Sequence, residues 1–98
     1  MKILAIEHDP PGVRDDQFTR EILLAEAQRA WELYQAGIIR ELYFRADCDE
    51  AVLVLECTDV AAARSVLDTL PLVREGLIGF ELIPLGAYPG FARLFSKT

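Results

Sequence analysis

The chain has 98 residues, of which ten are basic and sixteen acidic, and its formal net charge is −6. This length favours a single domain over residues 1–98, since domains typically contain about 100–150 residues. The negative charge and the scattered arginines argue against nucleic-acid binding, which depends on clustered Lys and Arg. The N-terminus reaches Glu7 too early for a signal peptide, and no apolar run approaches the roughly 20 residues of a membrane span. We therefore expect a cytoplasmic protein without nucleic-acid or membrane contacts.

The first predicted elements are a strand and a long helix. The apolar stretch KILAIEH over residues 2–8 is typical of a strand, and the prolines and glycine within residues 9–12 end it. Asp15 or Asp16 is expected to cap a helix that runs to Ala36, where a glycine follows in the left-handed conformation. A stripe with three- and four-residue spacing predicts the face that covers the sheet; it contains Leu23, Ala27, Ala30, Trp31 and Tyr34.

The second half of the chain predicts a hairpin, a helix and a last strand. Residues 38–46 and 51–57 are rich in β-forming residues and flank a short polar turn, which indicates an antiparallel hairpin. A helix is expected over residues 59–69, ended by Pro71. Residues 77–85 are expected to form the fourth strand, in which Pro84 favours an edge position or the strand end.

The order β-α-β-β-α-β predicts an α+β, ferredoxin-like domain with a four-stranded antiparallel sheet and both helices on one face. The third strand, AVLVLEC, is apolar on both faces, so a second layer must cover the face without helices. We therefore expect a homodimer or higher homo-oligomer. The aromatic tail after residue 86 is too apolar for a free end and is expected to pack across that interface. The RNA-recognition module shares this topology but needs stacking aromatics on its first and third strands, and this sequence has none there.

Several short motifs resemble the muconolactone isomerase family, over roughly residues 35–90. They are Gly37 after the long helix, Arg40 and Tyr43 to Arg45 in the second strand, Leu70-Pro71-Leu72, and Tyr88-Pro89 where that family has His-Pro. The resemblance implies a dimeric α+β barrel, in which two sheets pack face to face. It also implies proton transfer within an unsaturated lactone, without a metal or cofactor. The sequence departs from the family at Glu7-His8-Asp9 and at Tyr88.

His8 is the first candidate for a catalytic base. It is the only histidine, and histidine is the one side chain whose ordinary pKa lies near neutrality. Strand alternation places Leu4, Ile6 and His8 on one face and Ala5 and Glu7 on the other. The alternative interpretation is a half-exposed histidine at a strand end.

Carboxylates within apolar strands are the second set of candidates. Glu7, Glu56 and Glu81 must each be paired or lie at a strand end, because burying an unpaired carboxylate costs several kcal/mol. Glu81 and Glu56 are therefore candidate proton shuttles. The alternative for Glu81 is an ion pair with Arg40 or Arg45 at the subunit interface.

Candidate ligand contacts come from the second strand, the long helix and the tail. Tyr43 and Arg45 share a strand face and could orient a carboxylate substrate, since arginine binds carboxylates in bidentate fashion; Arg45 could equally reach a partner subunit. Trp31 and Tyr34 belong either to the core or to the wall of a cavity between helix and sheet. Tyr88 is the remaining candidate. Cys48 and Cys57 lie too far apart along one extended segment for a disulfide and lack the companions of a metal site.

Three functions remain open from the sequence. The first is a cofactor-free isomerase that moves a proton on a small unsaturated or aromatic-derived acid or lactone. The second is a non-catalytic oligomer that binds a small apolar metabolite. The third is a cofactor-free monooxygenase.

Overall fold

The computed structural model describes residues 1–96 and forms an α+β domain. No helix in the described range is long and apolar enough to cross a membrane. The described residues contain four strands and three α-helices. They are β1 (Lys2–His8), α1 (Arg20–Gln35), β2 (Ile39–Phe44), β3 (Ala51–Glu56), α2 (Val60–Leu67), α3 (Pro71–Arg74) and β4 (Gly79–Leu85).

The strands form one antiparallel sheet in the order β2-β3-β1-β4. In β1, Leu4 pairs with Val54 of β3 on one side and with Ile83 of β4 on the other. The hairpin of β2 and β3 contains an irregularity between Ile39 and Glu41. This arrangement confirms the predicted ferredoxin-like fold, and β4 is an edge strand, as Pro84 suggested.

The two faces of the sheet differ in what covers them. The face under the helices carries the core, which includes Ile3, Ala5, Leu53, Leu55 and Phe80. The other face, called the open face below, carries partly exposed apolar side chains at alternate positions. They are Leu4, Ile6, Val52, Val54 and Ile83. Within one chain no element covers this strip among the described residues, so burying it requires another surface.

The long helix begins later than the sequence suggested. Asp15 starts a three-residue 3₁₀ turn instead of capping α1. Thr19 is the N-cap, and its hydroxyl accepts a hydrogen bond from the Ile22 amide. Thr19 provides the side-chain oxygen that a helix start requires, so it competes successfully with the aspartates. Gly37, with a φ of +79°, ends the helix in the left-handed conformation, as predicted.

Pro71 begins a helix instead of ending one. The predicted helix over residues 59–69 is confirmed as α2, with Asp59 as its N-cap, but it already ends at Leu67. Pro71 occupies the first turn of α3, where its fixed φ and missing N–H are well tolerated. This turn places the Leu72 amide at a helix start, and that amide binds a side chain of α1 described below.

The tail after β4 extends from the domain. It contains a five-residue 3₁₀ helix, Gly90–Leu94, and four largely exposed apolar side chains, which are Tyr88, Phe91, Leu94 and Phe95. The radius of gyration is 16.4 Å, against about 13 Å for a compact domain of 100 residues. Within its described part, up to residue 96, the tail therefore does not pack on the core of its own chain.

Candidate active site

A cavity of about 480 Å³ lies between α1 and the sheet, near the β2 edge. Its size falls within the range of about 300–1,000 Å³ that is common for small-molecule sites. Two carboxylates, Glu7 and Glu26, contribute its charged lining, and Tyr43 borders it at the β2 edge, where pairing with Val52 places the Tyr43 side chain on the open face. The remaining lining is apolar and consists of Leu23, Ala27, Ala30, Ile39, Leu42, Phe44, Ala51, Leu53, Leu70, Leu72, Ile78 and Phe80.

Glu7 is the one buried charged residue in the described part of the chain, with 8% of its surface exposed. Strand alternation turns it to the helix side of β1, between the core positions and the strand end. The Ala51 amide donates a hydrogen bond to Glu7 Oε1 at 2.9 Å. Burial raises the pKa of the Glu7 carboxyl and outweighs this hydrogen bond, and nearby acids, Glu26 among them, raise it further.

Glu26 faces the same cavity from α1. Its Oε1 accepts a hydrogen bond of 2.9 Å from the Leu72 amide at the start of α3. Burial raises the pKa of the Glu26 carboxyl, while the hydrogen bond from Leu72 lowers it by a smaller amount. The cavity thus combines two carboxyl groups, on the sheet and on the helix, that both hold a proton more tightly than usual.

A second depression adjoins the cavity along the β2 edge. Trp31 and Tyr34 stack there with ring centroids 5.9 Å apart and line the depression together with Arg40 and Glu41. Their exposed fractions are 54% and 50%, so the expectation that they belong to the face of α1 covering the sheet is wrong. Both rings lie beside residues of β2, the edge strand, and remain open to solvent.

A third depression adjoins the cavity at the end of β1. It shares five lining residues with the main cavity, which are Glu7, Leu23, Phe44, Leu72 and Ile78. Three further acids line it, namely Asp9, Asp15 and Asp49. Glu7 therefore also borders a depression whose other charged side chains are negative.

His8 lies on the open face, away from this cavity. It pairs with Gly79 of β4, and its ring covers that glycine so closely that a Cβ atom there would overlap it. Gly79 therefore makes room for the ring. The histidine is exposed, and a site built on it would have to form on the open face of the sheet.

Glu81 and Glu56 also lie outside the cavity. Glu81 is exposed on the open face, beside Ile6. The expected ion pair with Arg40 or Arg45 does not form within one chain, because β4 and β2 are opposite edges of the sheet. Glu56 binds the N-terminal ammonium at 2.9 Å, and this contact lowers the pKa of its carboxyl.

Arg45 and Tyr43 are both engaged by acids of their own hairpin. Two guanidinium nitrogens of Arg45 bind the Asp47 carboxylate, at 2.9 and 2.7 Å, and a third lies 3.7 Å from Glu50. Arg45 does not line the cavity. Tyr43 does, and its hydroxyl donates a hydrogen bond of 2.8 Å to Glu41, which raises the pKa of the phenol.

Tyr88 lies in the tail. Its ring meets that of Phe91 edge to face, with centroids 5.1 Å apart, and packs closely against Gly90. It is not part of the cavity wall within one chain. Of the residues singled out from the sequence, the structure therefore brings Glu7 and Tyr43 to the main cavity, with Trp31 and Tyr34 in the adjoining depression.

Glu26 was missed at the sequence level, although its spacing contains a signal. It follows Ile22 by four residues and precedes Leu33 by seven, so it lies on the same inward stripe as these two packed side chains. An acid on an apolar helical stripe is costly unless it is paired or functional. Glu7 stands out in the sequence as a carboxylate in an apolar strand, but the alternation of β1 does not identify its face as the cavity side.

No protein-family model matches the chain, and no curated protein matches its sequence significantly. Solved structures do match by fold. A crystal structure of muconolactone isomerase superposes with a TM-score of 0.74 at 22% identity, covering 91% of this chain and 92% of that chain. The chain has the fold of muconolactone isomerase. A second match is 5-chloro-2-hydroxyhydroquinone dehydrochlorinase (TftG) from Burkholderia phenoliruptrix AC1100, in complex with 2,5-dihydroxybenzoquinone. It has a TM-score of 0.66 at 17% identity and covers 92% of this chain and 98% of that chain.

Proposed function

We propose that this muconolactone isomerase-like chain is a cofactor-free isomerase that moves a proton on a small, unsaturated ring compound. The observation that carries the proposal is the pair Glu7 and Glu26 in one apolar cavity, both with a raised pKa. A carboxyl group whose pKa approaches the working pH serves well both as acid and as base.

The hydrogen bonds of the two carboxyls leave room for this role. The Oε1 atom of each carboxyl accepts a hydrogen bond from a backbone amide. No fully buried side-chain oxygen among the described residues lacks a hydrogen-bond partner. The second oxygen of each group is therefore reachable by solvent or by a ligand. The backbone hydrogen bonds fix the orientation of both groups, which a proton transfer requires.

The proposed reaction balances without any further reactant. The ionised carboxylate of the pair removes a proton from a ring carbon next to a conjugated double bond. The double bond shifts, and the protonated carboxyl of the pair gives its proton to the far carbon. One proton leaves the substrate and one returns, so that the product is an isomer and the two carboxyls have exchanged protonation states.

The fold matches support this class of substrate. The names of the two proteins describe an isomerase acting on a lactone and a dehydrochlorinase acting on a chlorinated hydroquinone. Both are small ring compounds, and a cavity of about 480 Å³ with apolar walls suits a molecule of that size. The proposed working form is a homodimer or higher homo-oligomer, since the open face of the sheet needs a cover.

A panel of unsaturated lactones, enols and hydroxylated aromatic compounds tests the proposal in D₂O. We expect one compound to isomerise and to take up deuterium at the carbon that accepts the proton, both observed by NMR. The double variant Glu7→Gln/Glu26→Gln is the matched control, because glutamine keeps the acceptor for each backbone amide. Turnover that persists in this variant would contradict the proposal.

The second candidate function is a non-catalytic binding module. The apolar lining favours it, as does the use of both carboxylates to bind backbone amides. It predicts that a compound from the panel binds in the cavity, while neither isomer nor deuterated compound accumulates.

A further inference from the structure

The charged side chains that line the main cavity within residues 1–96 are both carboxylates, Glu7 and Glu26. The adjoining depression at the end of β1, called the mouth below, adds Asp9, Asp15 and Asp49. Among the described residues, neither lining contains a lysine, an arginine or a histidine. A ligand that enters from the mouth therefore meets negative side chains there and again at Glu7 and Glu26.

The arginines near the cavity are occupied by other groups. Arg45 binds Asp47 and Glu50. Arg29 binds Glu32 at 3.1 Å and the Thr69 hydroxyl at 2.9 Å. Arg40 lines the depression along the β2 edge and donates a hydrogen bond to the Gly37 carbonyl. None of the three lines the main cavity or the mouth.

An anionic ligand would lose its hydration in this cavity, and no positively charged side chain of the lining would offset that loss. Like charges at close range repel more strongly behind apolar walls than in water, because the effective dielectric constant is lower. A neutral ligand with a hydroxyl or amide N–H avoids this repulsion. It can donate to the second oxygen of Glu7 or Glu26, a bond that is strengthened when the acceptor is charged.

We propose that the cavity selects an uncharged, hydrogen-bond-donating ring compound and rejects the carboxylate of the same shape. This inference rests on the proposed function for the location of the site, and it deepens it by naming the charge class of the substrate. It also removes the role that Arg45 was expected to play as an anchor for a substrate carboxylate.

Benzamide and benzoate test the inference, because they share size and shape and differ in charge. The reporters are the backbone amides of Ala51 and Leu72, which donate to Glu7 and Glu26 and whose NMR signals respond to a ligand beside either carboxyl. At low ionic strength and about pH 7.5, where benzoate is charged, we expect benzamide to bind at least about tenfold more tightly, the effect of one modest charge repulsion.

The acids of the mouth should contribute to the difference between the benzamide and benzoate affinities, and their contribution can be tested separately. The variant Asp9→Asn/Asp49→Asn should narrow the ratio of the two affinities at least about twofold, chiefly by improving benzoate binding. The control Asp68→Asn/Glu75→Gln removes the same charge away from the cavity and should leave the ratio unchanged. Equal narrowing in both variants would overturn the role of the mouth.

Two results distinguish a failure of this inference from a failure of the proposed function. Benzoate that shifts the Ala51 and Leu72 amides with an affinity equal to or above that of benzamide overturns the charge selection and leaves the site intact. If neither compound shifts these amides at millimolar concentration, the cavity is not a ring-binding site, and the proposed function is overturned with the inference.

Discussion

Glu7 and Glu26 face one apolar cavity from the sheet and from α1, and a backbone amide holds each carboxyl at 2.9 Å. The Ala51 amide belongs to the start of β3, and the Leu72 amide to the first turn of α3. Each carboxyl therefore ties two elements together and also faces the space between them. Both groups combine a structural hydrogen bond with a raised pKa, and this combination suits them to proton transfer in a fixed geometry.

The pH dependence of stability should reveal the burial of Glu7. Its pKa is higher in the folded than in the unfolded chain, so the stability it contributes is present below the unfolded pKa of about 4.3 and is lost as the pH rises through the folded pKa. We therefore expect Glu7→Gln to gain stability relative to the unsubstituted protein between about pH 4 and pH 8. Thermal unfolding of both proteins across this range measures the difference. If the stability of Glu7→Gln relative to the unsubstituted protein stays constant or falls as the pH rises, Glu7 is not desolvated.

The oligomer should depend on the open face of the sheet. The strip of Leu4, Ile6, Val52, Val54 and Ile83 leaves apolar surface in contact with water in a single chain. Sedimentation at micromolar concentration should give at least twice the monomer mass of 11.0 kDa. Val54→Glu, at the centre of the strip, should yield a monomer, because it would bury an unpaired carboxylate.

Leu24→Glu is the matched control for the oligomer. Leu24 is 69% exposed on α1, away from the open face, and the same substitution there should leave the mass unchanged. A monomeric unsubstituted protein would rule out the barrel arrangement that the family resemblance implies.

The tail should stabilise the oligomer more than the fold of one chain. Tyr88, Phe91, Leu94 and Phe95 are all at least two-thirds exposed, so their apolar surface gains little within the chain. A chain that ends at Gly86 should keep its far-ultraviolet circular dichroism. At low protein concentration it should form a smaller oligomer or unfold at a lower melting temperature. If the truncation changes neither the number of subunits in the oligomer nor the melting temperature, the tail does not pack against a partner subunit. Lys97 and Thr98, the end of the segment expected to pack, lie outside the described residues.

Local signals in the sequence were sufficient for the fold but not for the site. The succession of strands and helices along the chain follows from apolar runs and breakers, and Gly37 and Asp59 mark helix boundaries through their own backbone and side-chain chemistry. The start of α1 was misplaced because Asp15, Asp16 and Thr19 all supply capping oxygens, and only packing decides among them.

The site depended on which face of the sheet the helices cover, and this is a tertiary property. Alternation in β1 separated His8 from Glu7 correctly, yet β1 and β3 are apolar on both faces, so alternation could not tell which of the two residues faces the helices. Glu26 was overlooked because the helix was judged by its apolar positions. The position of Glu26 on the apolar stripe of α1, between Ile22 and Leu33, is the signal that identifies it as a candidate.

The turnover of single variants on one active compound tests the central claim most directly. Because Glu7 and Glu26 line the cavity, Glu7→Gln and Glu26→Gln should each lower kcat by about 10²–10⁴-fold, the usual contribution of general acid–base catalysis. His8→Ala and Glu81→Gln, which change the open face, should retain nearly full kcat. The contrary result is a large loss in His8→Ala with near-normal kcat in Glu7→Gln and Glu26→Gln. That result would assign the base to the open face of the sheet and contradict catalysis by the two cavity carboxyls.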